Sequence, residues 1–279
     1  MSDYSYEFVN VEVRDGIAWT MLNRPEKRNA MSPDLHREMD DALSNLEIDD
    51  DAKVIVIGGE GGNFSAGQDL QKFFRDLEGK PRERKRASEH AHRWRWERLW
   101  SYNKPTIAMV DGYCVGGAFT QLIACDFAVA SETATFCLSE VNWGILPGGL
   151  VAKAIADTLL PRHAMYYAAL GEAFGGKEAE RIGLINFAVP QAELRAKVTE
   201  LAVKLMAKSP RALRATKQAV RNVKGMEVTQ AYDYLIEKGT AIRVGDKENS
   251  YQTGLRQFLD EKSYKPALEP FKLGTAPKP

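Results

Sequence analysis

Three glycine-bearing segments hold the residues whose types and spacing could support chemistry. They are residues 61–70, 112–119 and 139–149, and each follows a stretch with strand character. Glycine lets a backbone adopt a positive φ or approach a ligand closely. Two such loops on adjacent strands could direct two backbone N–H groups at one oxygen atom, an arrangement that stabilises an oxyanion. Each loop alone is weak support for this chemistry, because most glycine-rich turns are only turns.

Other common chemistries lack their sequence signatures. The sequence contains no GxxxxGK[ST] phosphate loop, no GxGxxG after a strand and no HExxH, and Ser65 is not in a GxSxG elbow. We therefore predict no metal site. The histidines are interpreted as surface or packing residues and the cysteines as buried, reduced thiols. These residues are His36, His90, His92, His163, Cys114, Cys125 and Cys137.

The elements that must position these loops form an α/β pattern. Residues 9–13 and 17–22 alternate as strands around Asp15-Gly16, which predicts a hairpin. Ser32 followed by Pro33 is typical of a helix start. Continuous apolar runs at 54–57, 107–110 and 127–130 predict buried strands. Helical patterns separate them, so residues 1–190 are interpreted as repeated β-β-α units and residues 191–279 as a helical region.

Charge and hydropathy narrow the function classes. Lys plus Arg and Asp plus Glu both number 38 in 279 residues, so the formal net charge is zero. This balance gives no support for a nucleic-acid or membrane surface. Residues 1–10 lack the basic and apolar parts of a secretory signal, and no run of about 18 apolar residues exists. A cytoplasmic location is the expectation.

Taken together, the ordered motifs resemble the crotonase (enoyl-CoA hydratase/isomerase) superfamily over nearly the whole chain. The matching segments are residues 22–25 with 29–31, 65–70, 112–117, 124–126 and 136–149. The resemblance implies a crotonase (ClpP-like) fold, with a β-β-α spiral core holding an acyl-CoA site in residues 1–190. It also implies that residues 191–279 serve oligomerisation and site capping, in a homotrimer or homohexamer.

The resemblance also assigns residues to the acyl-CoA site. The backbone N–H groups of Gln68 and Gly117 would hold the thioester oxygen. Residues in one loop would contact the CoA nucleotide, and others would flank the adenine and pantetheine path. The first group is Lys27, Arg28 and Ala30, and the second is Ala66, Asp69 and Leu70. Coenzyme A would be part of the substrate, with no separate cofactor.

The acid/base positions indicate one branch of this superfamily. A simple enoyl-CoA hydratase carries two glutamates; the first falls on Thr120 here, and the second is present as Glu140. Glu140 follows an apolar stretch, and desolvation would raise its pKa toward neutrality, which suits proton transfer in both directions. With Trp143-Gly144 in the same run, this pattern resembles the hydroxycinnamoyl-CoA (feruloyl-CoA) hydratase-lyases. The resemblance implies that Trp143 and Gly144 contact the acyl-CoA substrate. That branch hydrates a 4-hydroxycinnamoyl thioester and cleaves the product to an aromatic aldehyde of the vanillin type and acetyl-CoA.

Departures from the branch pattern leave alternatives open. The two tyrosines that meet the ring 4-hydroxyl fall on Phe73 and Ile236, and Tyr234 or Tyr232 is a possible substitute. The ring substituents therefore stay open. So does a hydratase of another aryl or alkyl acyl-CoA without carbon–carbon cleavage. A non-catalytic or RNA-binding member of the fold is disfavoured by Glu140 and by the neutral charge.

An aromatic segment allows two interpretations. Trp94, Trp96 and Trp100 are spaced by two and four residues. The first interpretation is that the rings pack a helix against the rest of the fold, as in most proteins with such a segment. The second interpretation is that the rings line a pocket for the aryl group.

Overall fold

The computed structural model describes residues 4–246 and 249–265, together with Lys272. The chain divides into two compact units, Met1–Glu200 and Leu201–Pro279. The predicted α/β core and C-terminal helices are both observed in the described residues. The helical prediction for 191–279 also covers residues 247–248, 266–271 and 273–279, which lie outside them. The assignment of the acyl-CoA site to 1–190 and of assembly to 191–279 stays a prediction.

The first unit is built on a mixed sheet with the strand order β1-β2-β3-β4-β6-β9. A second, smaller sheet has the order β5-β7-β8. The strands are β1 (Val9–Arg14), β2 (Ile17–Leu22), β3 (Val54–Gly59), β4 (Thr106–Val110), β5 (Tyr113–Val115), β6 (Phe127–Ser131), β7 (Thr135–Cys137), β8 (Ala173–Gly175) and β9 (Phe187–Val189). Strands β2, β3, β4, β6 and β9 pair in parallel, so their carboxyl ends lie along one edge.

The predicted hairpin is confirmed. Strands β1 and β2 pair antiparallel, with Val9 opposite Leu22 and Arg14 opposite Ile17. Asp15 and Gly16 have φ of 53° and 80°. Positive φ at both central positions is what a tight hairpin matching the twist of its strands requires.

Helices cover the sheets and form the C-terminal region. They are α1 (Pro33–Ile48), α2 (Pro81–His92), α3 (Leu99–Ser101), α4 (Ala118–Ala124), α5 (Val151–Thr158), α6 (Pro161–Leu170), α7 (Gly176–Arg181), α8 (Leu194–Met206), α9 (Pro210–Asn222), α10 (Val228–Val244) and α11 (Ser250–Leu255). Shorter π-helical segments span Leu70–Arg75, Arg93–Arg98 and Arg256–Asp260. No helix in the described ranges combines the length and apolar character needed to cross a bilayer.

The core of the first unit lies between the sheet and α1. The Ser32 side chain accepts a hydrogen bond from the N–H of Leu35 and caps α1, as predicted. The apolar face of this helix is fully buried, and the central residues of β3 are buried on both faces. This packing holds the carboxyl ends of β3 and β4 in fixed positions, where the glycine-bearing loops begin.

Candidate active site

Two loops lie side by side at the edge where β3 and β4 end. Ser65 donates its N–H to the carbonyl of Tyr113 at 2.8 Å, and Val115 donates to the carbonyl of Ser65 at 3.1 Å. These bonds form a parallel bridge between residues 64–69 and 112–117, which we call the paired loops. The first two glycine-bearing segments therefore meet, as their positions after adjacent strands predict.

Gly67 is a position where only glycine fits. Its φ is +90°, and a Cβ there would lie 2.7 Å from the carbonyl oxygen of Val115. The same Cβ would lie 3.4 Å from the amide nitrogen of Gly117. The missing side chain lets one loop approach the backbone of the other.

The paired loops present the backbone N–H groups of Gln68 and Gly117, which we call the amide pair. A Cβ at Gly117 would lie 3.7 Å from the amide nitrogen of Gln68, so the two residues are close neighbours. Both line one cavity of about 830 Å³. Among the described residues, neither N–H donates to a protein acceptor. The geometry suits a ligand oxygen that accepts from both.

Glu140 faces the same cavity from the third glycine-bearing segment. It lies in a 3₁₀ turn, Ser139–Trp143, directly after β7. A Cβ at Gly116 would lie 3.1 Å from its Oε1 atom, which places the carboxylate beside the second of the paired loops. Burial raises the pKa of Glu140 above its ordinary value. Within the described residues its Oε2 atom is buried without a hydrogen-bond partner. The carboxyl group is therefore suited to exchanging a proton with a ligand.

Thr120 also lines the cavity, one helical turn beyond the amide pair on α4. It is buried, and its hydroxyl oxygen has no hydrogen-bond partner among the described residues. This is where a simple hydratase pattern carries its first glutamate. A hydroxyl in its place can bind a small polar group but cannot supply a second carboxylate.

The remaining cavity walls are largely apolar. Ala66, Leu70 and Phe73 contribute from one side, and Trp143 contributes from the other. Phe73 is buried, with the ring of His36 at 5.7 Å. Trp143 is exposed at 66%. These walls fit an apolar or aryl acyl group.

Several predicted CoA-binding residues lie outside the cavity lining. Lys27 and Arg28 are exposed, and the Arg28 guanidinium lies 4.9 Å from the ring centre of Tyr113. Ala30 lies between that loop and α1, and Gly144 ends the 3₁₀ turn with φ +73°. Their contact with CoA stays a prediction.

Asp69 has a structural role in this fold. Its carboxylate pairs with the Arg24 guanidinium at 2.8 Å and accepts from the N–H of Lys72 at 2.9 Å. Burial acts to raise the pKa of Asp69, but these donors outweigh it and lower the pKa below its ordinary value. The ion pair ties the loop before α1 to the first of the paired loops. The predicted contact of Asp69 with CoA is untested.

The structure places Tyr234 and Ile236 on α10, within the second compact unit. The Tyr234 hydroxyl accepts a hydrogen bond from Asn222 at 2.8 Å, and its ring lies 5.6 Å from the Lys238 ammonium. Ile236 is half exposed. Their predicted position at the aryl ring stays a prediction.

The tryptophan segment packs the fold, as its first interpretation states. Trp94 is fully buried in the core, and Trp96 stacks on Trp100 with ring centres 4.8 Å apart. None of the three belongs to the cavity lining found in the described residues. The aryl-pocket interpretation is therefore wrong for the cavity of this chain, because these rings pack against protein.

Sequence reasoning missed two residues beside the amide pair. His36 was interpreted only as a surface or packing residue; it is fully buried, and its Nε2 atom lies 2.9 Å from Oε1 of Gln68. Arg95 lines the cavity and donates from Nη1 to the carbonyl of Gly117 at 3.1 Å. The sequence places Arg95 between two tryptophans, but adjacent positions on a helical turn face different directions, so this position alone does not predict that Arg95 lies beside Gly117.

Comparison with known proteins agrees with this site. The sequence profile described as enoyl-CoA hydratase/isomerase matches residues 12–266. The hydroxycinnamoyl-CoA hydratase-lyase of Pseudomonas fluorescens is 47% identical over 275 residues, covering 98% of this chain and 100% of that protein. The 4-chlorobenzoyl coenzyme A dehalogenase-2 of an Arthrobacter species is 33% identical over 216 residues, covering 74% of this chain and 75% of that protein.

Solved structures agree as well. An enoyl-CoA hydratase from a Polaromonas species superposes with a TM-score of 0.83 at 25% identity, covering 91% of this chain and 97% of that one. Human enoyl Coenzyme A hydratase domain-containing protein 3 gives 0.83 at 25% identity, covering 93% and 99%. The crotonase fold expected from the motifs is thus confirmed. With its amide pair and Glu140 in one cavity, this chain belongs to the enoyl-CoA hydratase/isomerase family.

Proposed function

We propose that this protein is a hydroxycinnamoyl-CoA hydratase-lyase. It adds water to the side-chain double bond of a feruloyl-, p-coumaroyl- or caffeoyl-CoA type thioester and cleaves the product to an aromatic aldehyde and acetyl-CoA. One observation carries the proposal: two backbone donors without an acceptor among the described residues share a largely apolar cavity with one partly buried carboxyl. The 47% identity to the Pseudomonas fluorescens enzyme, over nearly all of both chains, supports the same reaction.

Hydration is the first step. Glu140 takes a proton from water as the water oxygen bonds to the β-carbon, and the electrons of the double bond move onto the thioester oxygen. The amide pair stabilises the resulting enolate, which gains more from these donors than the neutral thioester does. Glu140 then returns the proton to the α-carbon. The raised pKa of Glu140 serves both directions of this transfer.

Cleavage of the carbon–carbon bond reuses the same groups. Glu140 takes the proton of the β-hydroxyl, and the aldehyde carbonyl forms as the bond between the α- and β-carbons breaks. The electron pair again becomes an enolate on the thioester oxygen, held by Gln68 and Gly117. Glu140 then delivers this proton to the α-carbon, which gives acetyl-CoA. A single carboxyl suffices, because each step passes through an enolate and needs one proton taken from an oxygen and one delivered to the α-carbon. Thr120 at the position of the second carboxylate is compatible with that.

The aryl group lies against the apolar wall in this proposal. Leu70, Phe73 and Phe74 supply that wall. Phe73 packs against a ring but donates no hydrogen bond, so it selects for shape rather than for a 4-hydroxyl. An electron-rich ring still favours the reaction because it stabilises the electron-poor β-carbon.

The CoA portion completes the substrate. We propose that the exposed cations Lys27 and Arg28 meet the CoA phosphates and that Ala30, Ala66 and Asp69-Leu70 border its path. In this proposal no separate cofactor takes part, since hydration and cleavage need proton transfer and enolate stabilisation but no external oxidant or reductant.

Incubation with feruloyl-CoA tests the proposal. Vanillin and acetyl-CoA, formed in equal amounts and measured by chromatography, are expected. Accumulation of the β-hydroxy thioester without aldehyde would instead show a hydratase that does not cleave. Crotonyl-CoA and unsubstituted cinnamoyl-CoA serve as comparison substrates, and a preference for either over feruloyl-CoA would reject the hydroxycinnamoyl assignment.

Assembly and location are also proposals. We propose a homotrimer or homohexamer that acts in the cytoplasm. Exposed apolar side chains at helical spacing on α10, including Val228, Tyr232 and Leu235, support assembly through the C-terminal region. Sedimentation equilibrium is expected to give three or six chains per particle; a monomer at micromolar concentration would reject this.

A further inference from the structure

One π-helical turn, Arg93–Arg98, connects to both members of the amide pair. Trp94 and Arg95 are neighbours on this turn, and each leads to a different donor residue. Single π-helical turns are rare and occur frequently at functional sites. We call Trp94, Arg95 and His36 the clamp residues.

The first arm of the clamp reaches Gln68. The indole N–H of Trp94 donates to Nδ1 of His36 at 2.9 Å, and Nε2 of His36 lies 2.9 Å from Oε1 of Gln68. An indole N–H can only donate, so Nδ1 carries a lone pair, and the proton of the neutral ring is on Nε2, which donates to Gln68. Burial lowers the pKa of His36 well below its ordinary value, and the ring stays neutral. This chain of bonds orients the side chain of the first amide donor.

The second arm reaches Gly117. Arg95 donates from Nε to the carbonyl of Ala91 at 2.9 Å and from Nη1 to the carbonyl of Gly117 at 3.1 Å. A Cβ at Gly117 would lie 3.2 Å from Nη1 of Arg95 and 3.7 Å from the nitrogen of Gln68. The guanidinium therefore lies immediately beside the amide pair.

Arg95 brings a partly buried positive charge to this place. Burial lowers its pKa to about 10, so the side chain remains protonated at neutral pH. In the described part of the chain no carboxylate forms an ion pair with it. A partly buried charge without an ion-pair partner is stabilised by a negative charge that develops close to it. An enolate on the amide pair would place such a charge beside the guanidinium.

We propose that the π-helical turn positions the amide pair, with Trp94 acting through His36 on Gln68 and Arg95 acting on Gly117. The positive charge of Arg95 further favours the enolate over the neutral thioester. Trp94, His36 and Arg95 are thus positioning residues. This inference rests on the proposed enolate chemistry. It concerns the amide pair, which would act on the thioester oxygen whatever the acyl group is.

A substitution series at Arg95 separates its hydrogen bond from its charge. Arg95→Met removes both, Arg95→Gln keeps a donor without charge, and Arg95→Lys keeps the charge. We expect Arg95→Met to lower kcat roughly 10- to 100-fold, because a small displacement of a reacting group has such effects. KM should change less than about threefold, and Arg95→Lys should recover more activity than Arg95→Gln. The matched control is Arg93→Gln on the same turn, whose guanidinium pairs with Asp40 at 3.0 Å instead.

Several outcomes would overturn the proposal. They are a kcat for Arg95→Met within about twofold of the wild type, a loss confined to KM, and equal activities of Arg95→Lys and Arg95→Gln. Circular dichroism and thermal unfolding check that each variant is folded. If Arg95→Met does not fold, the order of Arg95→Lys above Arg95→Gln decides.

A spectroscopic measurement reports the position of the amide pair in a variant that does not turn over the substrate. In a Glu140→Gln background, bound feruloyl-CoA should absorb at longer wavelength than free feruloyl-CoA, because the amide pair polarises its carbonyl. Adding Trp94→Phe or Arg95→Met should reduce that shift, whereas adding Arg93→Gln should preserve it. An unchanged absorption shift in the Trp94 and Arg95 variants would reject the proposal that the clamp residues position the amide pair.

Failure of the clamp and failure of the proposed function give different results. If the wild type forms no vanillin from feruloyl-CoA, the hydratase-lyase assignment fails. The clamp is then tested on bound cinnamoyl-CoA or by hydration of crotonyl-CoA, since the amide pair acts on any thioester oxygen. If vanillin forms and the Arg95 series leaves kcat unchanged, only the clamp fails.

Discussion

The paired loops and the segment after Glu140 differ sharply in how they are held. In the paired loops Phe64 and Ser65 are fully buried, and backbone hydrogen bonds join the two loops. In the following segment, residues 141–150, Trp143 is 66% and Leu146 is 72% exposed. The groups that would stabilise the enolate are thus built into the sheet edge, while the part of the cavity wall that Trp143 and Leu146 supply is on the surface.

This difference teaches where reactivity and selectivity reside. A fixed pair of backbone donors costs no reorganisation when charge develops on a thioester oxygen. An exposed wall can change its side chains without disturbing the core. One oxyanion site can therefore serve different acyl groups, and the similarity to both a hydratase-lyase and a dehalogenase agrees with this.

The largest effect is expected at Glu140, which lies between the paired loops and the exposed segment 141–150. Glu140→Gln keeps the size of the side chain but cannot exchange a proton. We expect kcat with feruloyl-CoA to fall roughly 10²- to 10⁴-fold, the usual contribution of general acid–base catalysis. Steady-state kinetics with Glu193→Gln, an exposed glutamate, as the matched control measures the effect. A loss below about tenfold would assign proton transfer to another group.

Gly67→Ala tests whether the paired loops are as rigid as their hydrogen bonds indicate. The new Cβ would lie 2.7 Å from the carbonyl of Val115 and close to the Gly117 nitrogen. We expect kcat to fall roughly 10²- to 10³-fold, comparable to removing one oxyanion donor. Gly79→Ala is the matched control, because Gly79 also has a positive φ of 72° but no atom within 4 Å of its Cβ position. Equal activities of the two variants would show that the paired loops move to accommodate the added methyl group and are not rigid.

Trp143→Ala tests the role of the exposed segment 141–150. Because the ring lines the cavity but is mostly exposed, we expect KM for feruloyl-CoA to rise a few fold, with kcat nearly unchanged. The free energy of unfolding should stay within about 0.5 kcal/mol, as for most surface substitutions. Leu160→Ala, at 68% exposure and outside the cavity, should change neither quantity. A large fall in kcat would contradict the division between reactivity and selectivity.

The smallest expected effect is a pH-dependent difference in the free energy of unfolding between the wild type and Glu140→Gln. Burial raises the pKa of Glu140 in the folded protein, so ionising it costs folding free energy. The cost is absent below the ordinary pKa of about 4.3 and is complete above the raised folded value. Urea unfolding should therefore show Glu140→Gln more stable than the wild type at pH 8, with the two converging at pH 4. A difference that persists at pH 4 would assign the effect to packing.

Much of the site could be predicted because its parts are local. The hairpin, the capped start of α1 and the buried strands follow from short-range patterns at Asp15-Gly16, Ser32 and residues 54–57. Glycine-bearing loops after adjacent parallel strands must meet at one sheet edge. The approach of Gln68, Gly117 and Glu140 to a common cavity followed from those features together with the resemblance to the crotonase superfamily.

The clamp could not be predicted for a physical reason. Contacts from Trp94 to His36 and from Arg95 to Gly117 depend on the register of a π-helical turn, which no short pattern of apolar residues specifies. The aromatic segment around Arg95 favoured interpretations about rings rather than about the guanidinium. His36 is adjacent to the apolar stripe of α1, and only the tertiary packing shows that its ring points at Gln68.

The donors of the amide pair belong to the main chain, and this affects how the protein can evolve. Nearly every replacement at position 68 keeps an N–H in place, and only proline removes it. Codon changes there would tune the direction of the donor without deleting it. A lineage of such enzymes can thus change residue 68 through single-nucleotide steps while its oxyanion chemistry persists.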